Sequence, residues 1–488
     1  MKLGTRGKRI LVVLALMPMM VLLGKAQPNI ALYPLENQFN SFIYNPAFLT
    51  SQEKFSFSIF PIGGASISYN NKSIIERFVS NIISKKITDN DYQEVLKKLA
   101  DRSSFNENIE SALLNFTLRS KVGFFNFRIK ESEYFSILVK GDVTDFIIKT
   151  GIQSASINKL QDLPAQAAHY REYSIGYSSQ NWRNNFTFGV RAKMYFGKSS
   201  FFSGISGAIN NESGNYVLRT TGKAYISIPQ SEGVTNSVSL FTGSNTIKYL
   251  MNTGNPGFGV DLGFKYRITS DLSFSMSVID LGKINWKTNL NSKSFNSQYK
   301  FPPGTVTYNA GNGTITKNKS NGSFIDSISS KFDLVVDSKA FSRPLPITAY
   351  AGLKYRFSSS LKISLTDRYV ILENMNYNSF LVSASFDLSK KISVNTGYAI
   401  IGDLYDNIPL ALLFNRSFGQ IYVGTDNLMS IILPSSSGFA GITFGACFYL
   451  FKKRNQLNSE SDEYPFYRHR KIRNSNKTGL ILKEFPES

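Results

Sequence analysis

Segments in which apolar and polar side chains alternate recur along this chain, and they constrain its fold more than any other feature. Between residues 257 and 281, two such segments follow one another around the polar turn 269–271. Successive side chains of a β-strand point to opposite faces, so each segment is predicted to be a strand with one apolar face. A tilted strand of about ten residues is also long enough to cross a bilayer. A soluble sandwich would alternate in the same way, so the repetition of the pattern decides between the two.

The alternation returns over most of the chain. It is found in residues 184–196, 347–357, 380–388, 392–400 and 440–450. The polar faces are rich in glycine, serine and cations near the strand centres, which does not suit the back of a sandwich core. A closed barrel with lipid outside and water inside has this composition. We therefore predict an all-β fold, a transmembrane antiparallel β-barrel over residues 54–451.

The connections between the predicted strands are alternately short and long, as in bacterial barrels with short periplasmic turns and longer outer loops. One first strand, six hairpins and one closing strand give about 14 strands. A strand-like stretch at 216–228 would raise the number to 16. One hairpin is predicted to join strands 113–129 and 134–142 through residues 130–133.

Two places do not fit a regular alternation. The adjacent pair Phe124 and Phe125 moves the apolar face by one residue, which predicts a β-bulge. Asp367 falls on the lipid-facing side of strand 361–371 unless that strand is bulged too.

Both ends of the chain are predicted to lie outside the barrel wall. Residues 1–26 have a basic start and an apolar core too short for a membrane helix, so they are predicted to be a signal peptide cleaved near Ala26. Residues 27–53 are predicted to be an N-terminal periplasmic or plug segment, because a proline among apolar residues indicates a turn or lid. Residues 452–488 are polar and basic, which predicts a flexible periplasmic tail.

Residues 71–111 interrupt the β pattern with apolar residues at helical spacing. They are predicted to form a short helical insertion, either packed on the barrel wall or placed in the lumen as a plug. The candidate plug residues are Phe78, Ile82 and Leu96.

The net charge of +21 is spread over predicted lumen faces, loops and tail rather than along one basic stripe. With the signal peptide and the strand pattern, this distribution argues against nucleic acid and favours outer-membrane lipid and lipopolysaccharide as surroundings. On the predicted lumen faces the cations either attract solute carboxylates or pair with Asp261, Asp387 and Glu172. The candidate lumen cations are Arg191, Lys193, Lys265, Arg267, Lys354 and Arg356.

Catalytic patterns are missing from the sequence. The two histidines, His169 and His469, are far apart, and the single cysteine, Cys447, is predicted to be a buried lumen residue. No cysteine and histidine cluster has the spacing of a zinc site, and no nucleophile elbow is found. We therefore expect no enzymatic activity, no cofactor and no metal.

Several blocks resemble a Bacteroidota family of outer-membrane proteins known only as a domain of unknown function. The family is similar in architecture to the FadL long-chain fatty-acid transporters and to the PorV proteins of the type IX secretion system. The blocks are residues 44–49 (YNPAFL), 134–150, 170–197, 255–286 and 422–428 (YVGTDNL). The FadL-like resemblance implies 14 strands and an N-terminal plug, but no residue of a fatty-acid site can be matched in this chain.

Two functions are compatible with these observations. The first is a passive outer-membrane channel or transporter for small amphipathic or hydrophobic solutes. The second is a non-enzymatic structural or accessory component of a type IX secretion or gliding apparatus, which would hold a periplasmic or secretion-machinery protein partner. Barrel architecture alone does not choose between them.

Overall fold

The computed structural model describes residues 30–49, 54–70, 104–138, 157–160, 165–179, 185–212, 215–229, 244–301, 306–309, 314–317, 335–373, 376–402, 404–432 and 439–450. The predicted signal peptide, the tail and the candidate plug residues Phe78, Ile82 and Leu96 lie outside the described residues. Residues 104–111, which the prediction placed in the helical insertion 71–111, belong to a strand, and the rest of that predicted insertion lies outside the described residues.

Fourteen antiparallel strands form the barrel. The first, β1, has two segments, Phe55–Ile59 and Ala65–Asn70. The others are β2 (Ser104–Arg119), β3 (Gly123–Leu138), β4 (Ala165–Ser179), β5 (Phe186–Glu212), β6 (Asn255–Arg267), β7 (Leu272–Trp286), β8 (Ile347–Arg356), β9 (Leu361–Ile371), β10 (Asn376–Ser389), β11 (Ile392–Ile401), β12 (Leu410–Arg416), β13 (Gly419–Thr425) and β14 (Phe439–Leu450).

The barrel closes because each strand pairs with the next and β14 pairs with both segments of β1. The closing register joins Phe55 to Leu450 and Ala65 to Phe444. The predicted number of 14 strands is therefore confirmed. The short connections described at 120–122, 268–271, 357–360, 390–391 and 417–418 lie at one end of the barrel, where β4 also ends and β5 begins. We call this end the short-turn end and the opposite one the long-connection end.

The sheet continues beyond the ring at the long-connection end. Strand Asn215–Ser227 pairs with the end of β5 and with strand Ser292–Phe301. It takes no place in the closed ring, so the alternative of 16 strands is wrong. The remaining described elements are strands Ile157–Leu160, Val306–Asn309, Thr314–Lys317, Val335–Asp337, Phe341–Pro344 and Leu404–Asn407, helix α1 (Ser244–Leu250), helix α2 (Met429–Ile432) and the 3-10 turns Ile30–Leu32, Ser41–Ile43 and Pro46–Phe48.

The hairpin of β2 and β3 differs from the prediction. Its turn lies at residues 120–122, not at 130–133, and its register shift lies between Ala112 and Leu114. No shift occurs at Phe124, which is buried and packs against Phe42 and Leu49 inside the barrel. The bulge was predicted because an apolar residue was not expected on the lumen face. The strand pattern could not show that the plug segment provides an apolar partner there.

Asp367 lies on the outer face of β9. The register of β9 with β8 and β10 is continuous, so no bulge turns this side chain inward. Of the two predicted possibilities, an outward Asp367 or a bulged β9, the outward Asp367 is therefore confirmed. Its neighbours on that face, Leu365 and Tyr369, are each 40% exposed.

The outer wall presents large apolar side chains to its surroundings, whereas most inward positions are polar and buried. This is the distribution of a barrel whose outer face lies in a bilayer. Among the described residues, no helix is both long and apolar enough to span a membrane. The exposed apolar residues of the wall include Ile175, Met194, Phe258, Leu262, Met276, Leu353, Leu365, Phe380, Val382, Tyr398, Ile421 and Phe448.

Candidate functional site

Residues 30–49, which we call the plug segment, fill part of the barrel interior. They are buried except for the half-buried Glu36 and Ile43 and the exposed Asn37, and they fold into three short 3-10 turns. Among the described residues, the plug segment forms no strand pairing with the wall. It is therefore a separate insert in the lumen and not an additional strand.

Aromatic side chains hold the centre of the plug segment. Tyr33 stacks on the inward Tyr350 of β8 with ring centroids 5.0 Å apart, and its edge meets Phe48 at 5.2 Å. The same cluster also contains Leu35, Phe39 and Tyr44 from the plug segment and Ile279, Ala411, Leu413, Tyr422 and Cys447 from the wall. The predicted lumen position of Cys447 agrees with this packing.

Wall side chains satisfy the backbone of the plug segment. Asp426 accepts from the amides of Ile30 and Ala31 at 3.0 and 2.9 Å. Gln420 accepts from the amide of Phe39 at 2.6 Å. A segment without sheet pairing must satisfy its polar groups in this way if it is to be buried.

The YNPAFL block lies against two glycines of the wall. Gly189 of β5 and Gly263 of β6 are paired across the sheet. A side chain at either position would overlap Asn45 or Pro46. Asn45 also donates to the carbonyls of Phe264 and Met276, both at 3.2 Å. The two glycines thus provide the flat surface on which the block rests.

Glu36 is the single charged residue of the plug segment. It pairs with Lys265 of β6 and with Lys354 of β8, the latter at 2.7 Å. Burial alone would raise the pKa of Glu36, but attraction by the two lysines outweighs it and lowers the pKa to about 2. Glu36 therefore carries its charge at neutral pH and ties the plug segment to the wall.

Charged residues on the six adjacent strands β2 to β7 form what we call the ion-pair ladder, and all of them are buried except the half-buried Asp280. The ladder comprises Glu110, Lys130, Glu172, Lys193, Arg191, Asp261 and Asp280. Lys193 lies at its centre, 2.8 Å from Asp261, 2.6 Å from Asp280 and 3.5 Å from Glu172. Lys130 lies 2.8 Å from Glu110 and 3.4 Å from Glu172.

A bulge in β7 places Asp280 in the ladder. The register shifts between Val278 and Leu281, and Asp280 has a left-handed φ of 61°. Its amide donates to Asp261 at 2.7 Å, while its carboxylate accepts from Tyr195 at 3.0 Å. Such a backbone is uncommon for a residue with a side chain and persists where surrounding contacts determine it. The bulge thus turns a carboxylate inward without ending the strand.

The ladder also contacts the plug segment. Arg191 lies 3.3 Å from Asp261 and donates to the carbonyl of Phe42 at 2.7 Å, with its guanidinium 4.6 Å from the Phe42 ring centre. A cation over an aromatic ring adds further attraction. Arg191 therefore joins the wall charges to the insert.

The six predicted lumen cations fall into two groups. Arg191, Lys193, Lys265 and Lys354 face inward and pair with carboxylates. Arg267 and Arg356 lie at the short-turn end, where Arg267 donates to Asn185 at 3.3 Å and Arg356 binds Asp271 at 3.1 Å. The expected pairing with Asp261 and Glu172 occurs, but Asp387 pairs with Lys362 at 3.0 Å.

Sequence reasoning missed Glu36, Glu110, Lys130 and Asp280. Lys130 was assigned to a turn, and Asp280 lies at a bulge that shifts its face. Glu36 had a usable signal, because a lone charge in a predicted plug requires a partner.

A cavity of about 50 Å³ borders the ladder and the aromatic cluster of the plug segment. Its lining combines charged groups with aromatic rings, so one small solute could meet both kinds of surface. The lining includes Glu107, Glu110, Asp280, Arg368, Tyr134, Tyr170 and Tyr350.

Comparison with known proteins adds a family and distant structural likenesses. A family described as "Family of unknown function (DUF5723)" matches residues 46–426. No curated protein sequence matches. The deltaS2S3 mutant of the TodX monoaromatic hydrocarbon channel has 10% identity and a TM-score of 0.39, and covers 84% of this chain and 94% of its own.

Two further structures are similarly distant. The Ralstonia pickettii toluene transporter TbuX has 9% identity and a TM-score of 0.37, with 84% of this chain and 92% of that chain covered. The translocator domain of the Neisseria meningitidis autotransporter NalP has 5% identity and a TM-score of 0.31, with 86% of this chain and 96% of that chain covered. At such low TM-scores these likenesses support no conclusion about function.

Proposed function

This chain belongs to the DUF5723 family of unknown function, so its role must be inferred from its own geometry, and we propose that it is a bacterial outer-membrane channel for small amphipathic or hydrophobic solutes. One observation carries the proposal. Part of the lumen is filled by an insert that is held by side-chain contacts, including those of its single charged residue, and not by sheet pairing among the described residues. Such an insert can move while the closed wall stays intact.

The lining of the cavity supports the solute class. Asp280 and Arg368 supply charge beside the rings of Tyr134, Tyr170 and Tyr350. Ligand sites commonly combine an apolar lining with a few polar groups that set orientation. We retain the prediction that the lumen cations attract the carboxylates of solutes. A solute carboxylate would have to displace the protein carboxylates with which these cations are now paired.

Locking the plug segment to the wall tests the proposal. In a Cys447→Ala background, Asn45→Cys and Gly263→Cys place two thiols at a tight contact between plug segment and wall. Asn45→Cys also removes the Oδ1 atom that a side chain at position 263 would overlap most closely. Proteoliposomes with the reduced protein should take up a small amphipathic solute severalfold faster than protein-free liposomes. Oxidation should abolish uptake, and reduction should restore it.

Two controls complete the experiment. The single substitution Asn45→Cys in the same background should be insensitive to oxidation, and the mobility of unheated protein on a denaturing gel should report a folded barrel for every variant. If the folded, reduced protein shows neither solute uptake nor conductance, the transport proposal fails.

The alternative is an accessory component of a type IX secretion or gliding apparatus. The observation that favours it is the sheet beyond the ring, where Asn215–Ser227 joins β5 to Ser292–Phe301 and provides a surface for a protein partner. Pull-down from native membranes with a matched barrel as control would test it. Recovery of one stoichiometric partner, together with absent solute flux, would favour this second function.

A further inference from the structure

Helix α1 packs against the outside of the barrel wall. Its Tyr249 is buried, and the Tyr249 hydroxyl lies 2.6 Å from Nδ1 of His169 and 2.9 Å from the hydroxyl of Ser199. His169 is on the outer face of β4, since its neighbours Ala168 and Tyr170 are buried with the interior cluster. The helix is therefore fixed to the outer wall by its tyrosine.

Charged groups on the same wall complete what we call the rim network, which comprises Glu131, His169, Arg171, Ser199 and Tyr249. Glu131 accepts from Nε of Arg171 at 2.6 Å and lies 3.0 Å from Nε2 of His169. The Tyr249 hydroxyl lies between the Ser199 hydroxyl and the His169 ring. The network therefore positions the helix and does not form a serine–histidine hydrogen bond.

The free side of α1 is apolar. Ile247 is 66% exposed. Met251, which follows the last residue of α1 and donates its amide to the carbonyl of Ile247, is 64% exposed. Side chains four residues apart share one face of a helical turn. On the wall, residues of β4 and β5 nearer the short-turn end are also exposed and apolar, with Ile175 at 64% and Met194 at 41%. The helix thus lies at the edge of the apolar band and extends it, as interfacial helices do.

Cations lie beside this apolar surface. Lys248 is exposed on α1, and Nη1 of Arg171 makes a 4.0 Å contact with the sulfur of Met251. Lys198, on the same wall, donates to the carbonyl of Asn252 at 2.6 Å. The carboxylates close enough to act on Tyr249 are Glu133 and Glu131. Three cations and two carboxylates therefore leave a positive excess at the edge of the band.

We propose that α1 and the rim network bind an anionic membrane lipid. Lys248 and Arg171 bind the headgroup phosphate, and the acyl chains lie along Ile247 and Met251. A soluble anion would meet the cations but leave the apolar face exposed, whereas a lipid satisfies both surfaces. This site is independent of solute passage through the lumen.

Native mass spectrometry of the full-length protein with phosphatidylglycerol or phosphatidylcholine tests the site. The wild type should bind phosphatidylglycerol more tightly than phosphatidylcholine. The double substitution Arg171→Gln/Lys248→Gln should weaken phosphatidylglycerol binding roughly thirtyfold, since each basic residue near an anionic headgroup is worth about a factor of five. Ile247→Ser/Met251→Ser should weaken binding of both lipids.

A matched control removes two cations at the opposite end of the barrel. Lys390→Gln/Lys391→Gln changes two exposed turn residues and should leave lipid binding within about twofold of the wild type. Lys248→Gln alone keeps the rim network intact and should still weaken binding severalfold if the first double variant fails to fold. Equal affinity for the two lipids, unchanged binding by a folded Lys248→Gln variant, or full displacement of the lipid by inorganic phosphate at equal concentration would each overturn the proposal.

Discussion

At the scale of the residue, Glu36 determines how firmly the plug segment is held. Glu36→Gln would leave Lys265 and Lys354 without their shared carboxylate in a partly buried site. Removing one partner of such a group destabilises the contact by about 3 kcal/mol. We expect higher conductance in planar bilayers, because the plug segment leaves the lumen more often.

The matched control for this substitution is Asp387→Asn. It removes the same charge from a pair with Lys362 that joins two wall strands, β9 and β10. Its conductance should equal that of the wild type. Equal conductance of the Glu36→Gln variant and the control would contradict the assigned role of Glu36.

The same carboxylate predicts a pH dependence. Its pKa is lowered from 4.5 to about 2 in the folded protein, so its contribution is fully present above pH 4.5 and is lost as the pH falls towards 2. We expect conductance of the wild type to be constant from about pH 7 to about pH 5 and to rise below about pH 4.5. Conductance measured against pH should show no such rise attributable to this group in Glu36→Gln.

At the scale of the element, the fit between the plug segment and its wall depends on Gly189 and Gly263. Gly263→Ala should displace Asn45 and Pro46 from the inner face, because the added methyl group overlaps them. The strands should still pair, since alanine is compatible with extended backbone. We expect normal barrel folding with raised conductance.

Gly204→Ala is the control for this element. Gly204 lies on β5, and no neighbouring atom comes within 4 Å of the place that an added methyl group would occupy. The substitution therefore changes backbone freedom without a clash, and its conductance should match the wild type. An equal effect of both alanines would show that the tight contact at Gly263 is irrelevant.

At the scale of the whole molecule, ring closure is complete before the C-terminal tail begins. Leu450 pairs with Phe55, which joins the last strand to the first. Deleting residues 455–488 should therefore leave the thermal unfolding midpoint and the unheated gel mobility unchanged. A lower midpoint would show that the tail supports the barrel, contrary to the expectation that it serves as a basic periplasmic extension.

The alternating pattern by itself predicted the barrel and a number of about 14 strands, while ring closure decided against the alternative of 16. Residue alternation is a local consequence of strand geometry, so segments such as 257–281 could be assigned without knowledge of their neighbours. For Asp367 the sequence left two possibilities, an outward side chain or a bulge in β9, and the continuous register of β9 decided for the outward side chain.

Only the tertiary structure decided which side chains meet in the lumen. The turn between β2 and β3 was misplaced, and with it Lys130 was lost from the predicted lumen set. The ion-pair ladder joins one or more residues from each of six strands. Glu36 pairs with Lys265, which lies 229 residues away in the sequence. Such pairings depend on ring closure and on the position of the plug segment, and no local pattern encodes either of them. Contact across a lumen is set by the register of every strand that lies between the two partners.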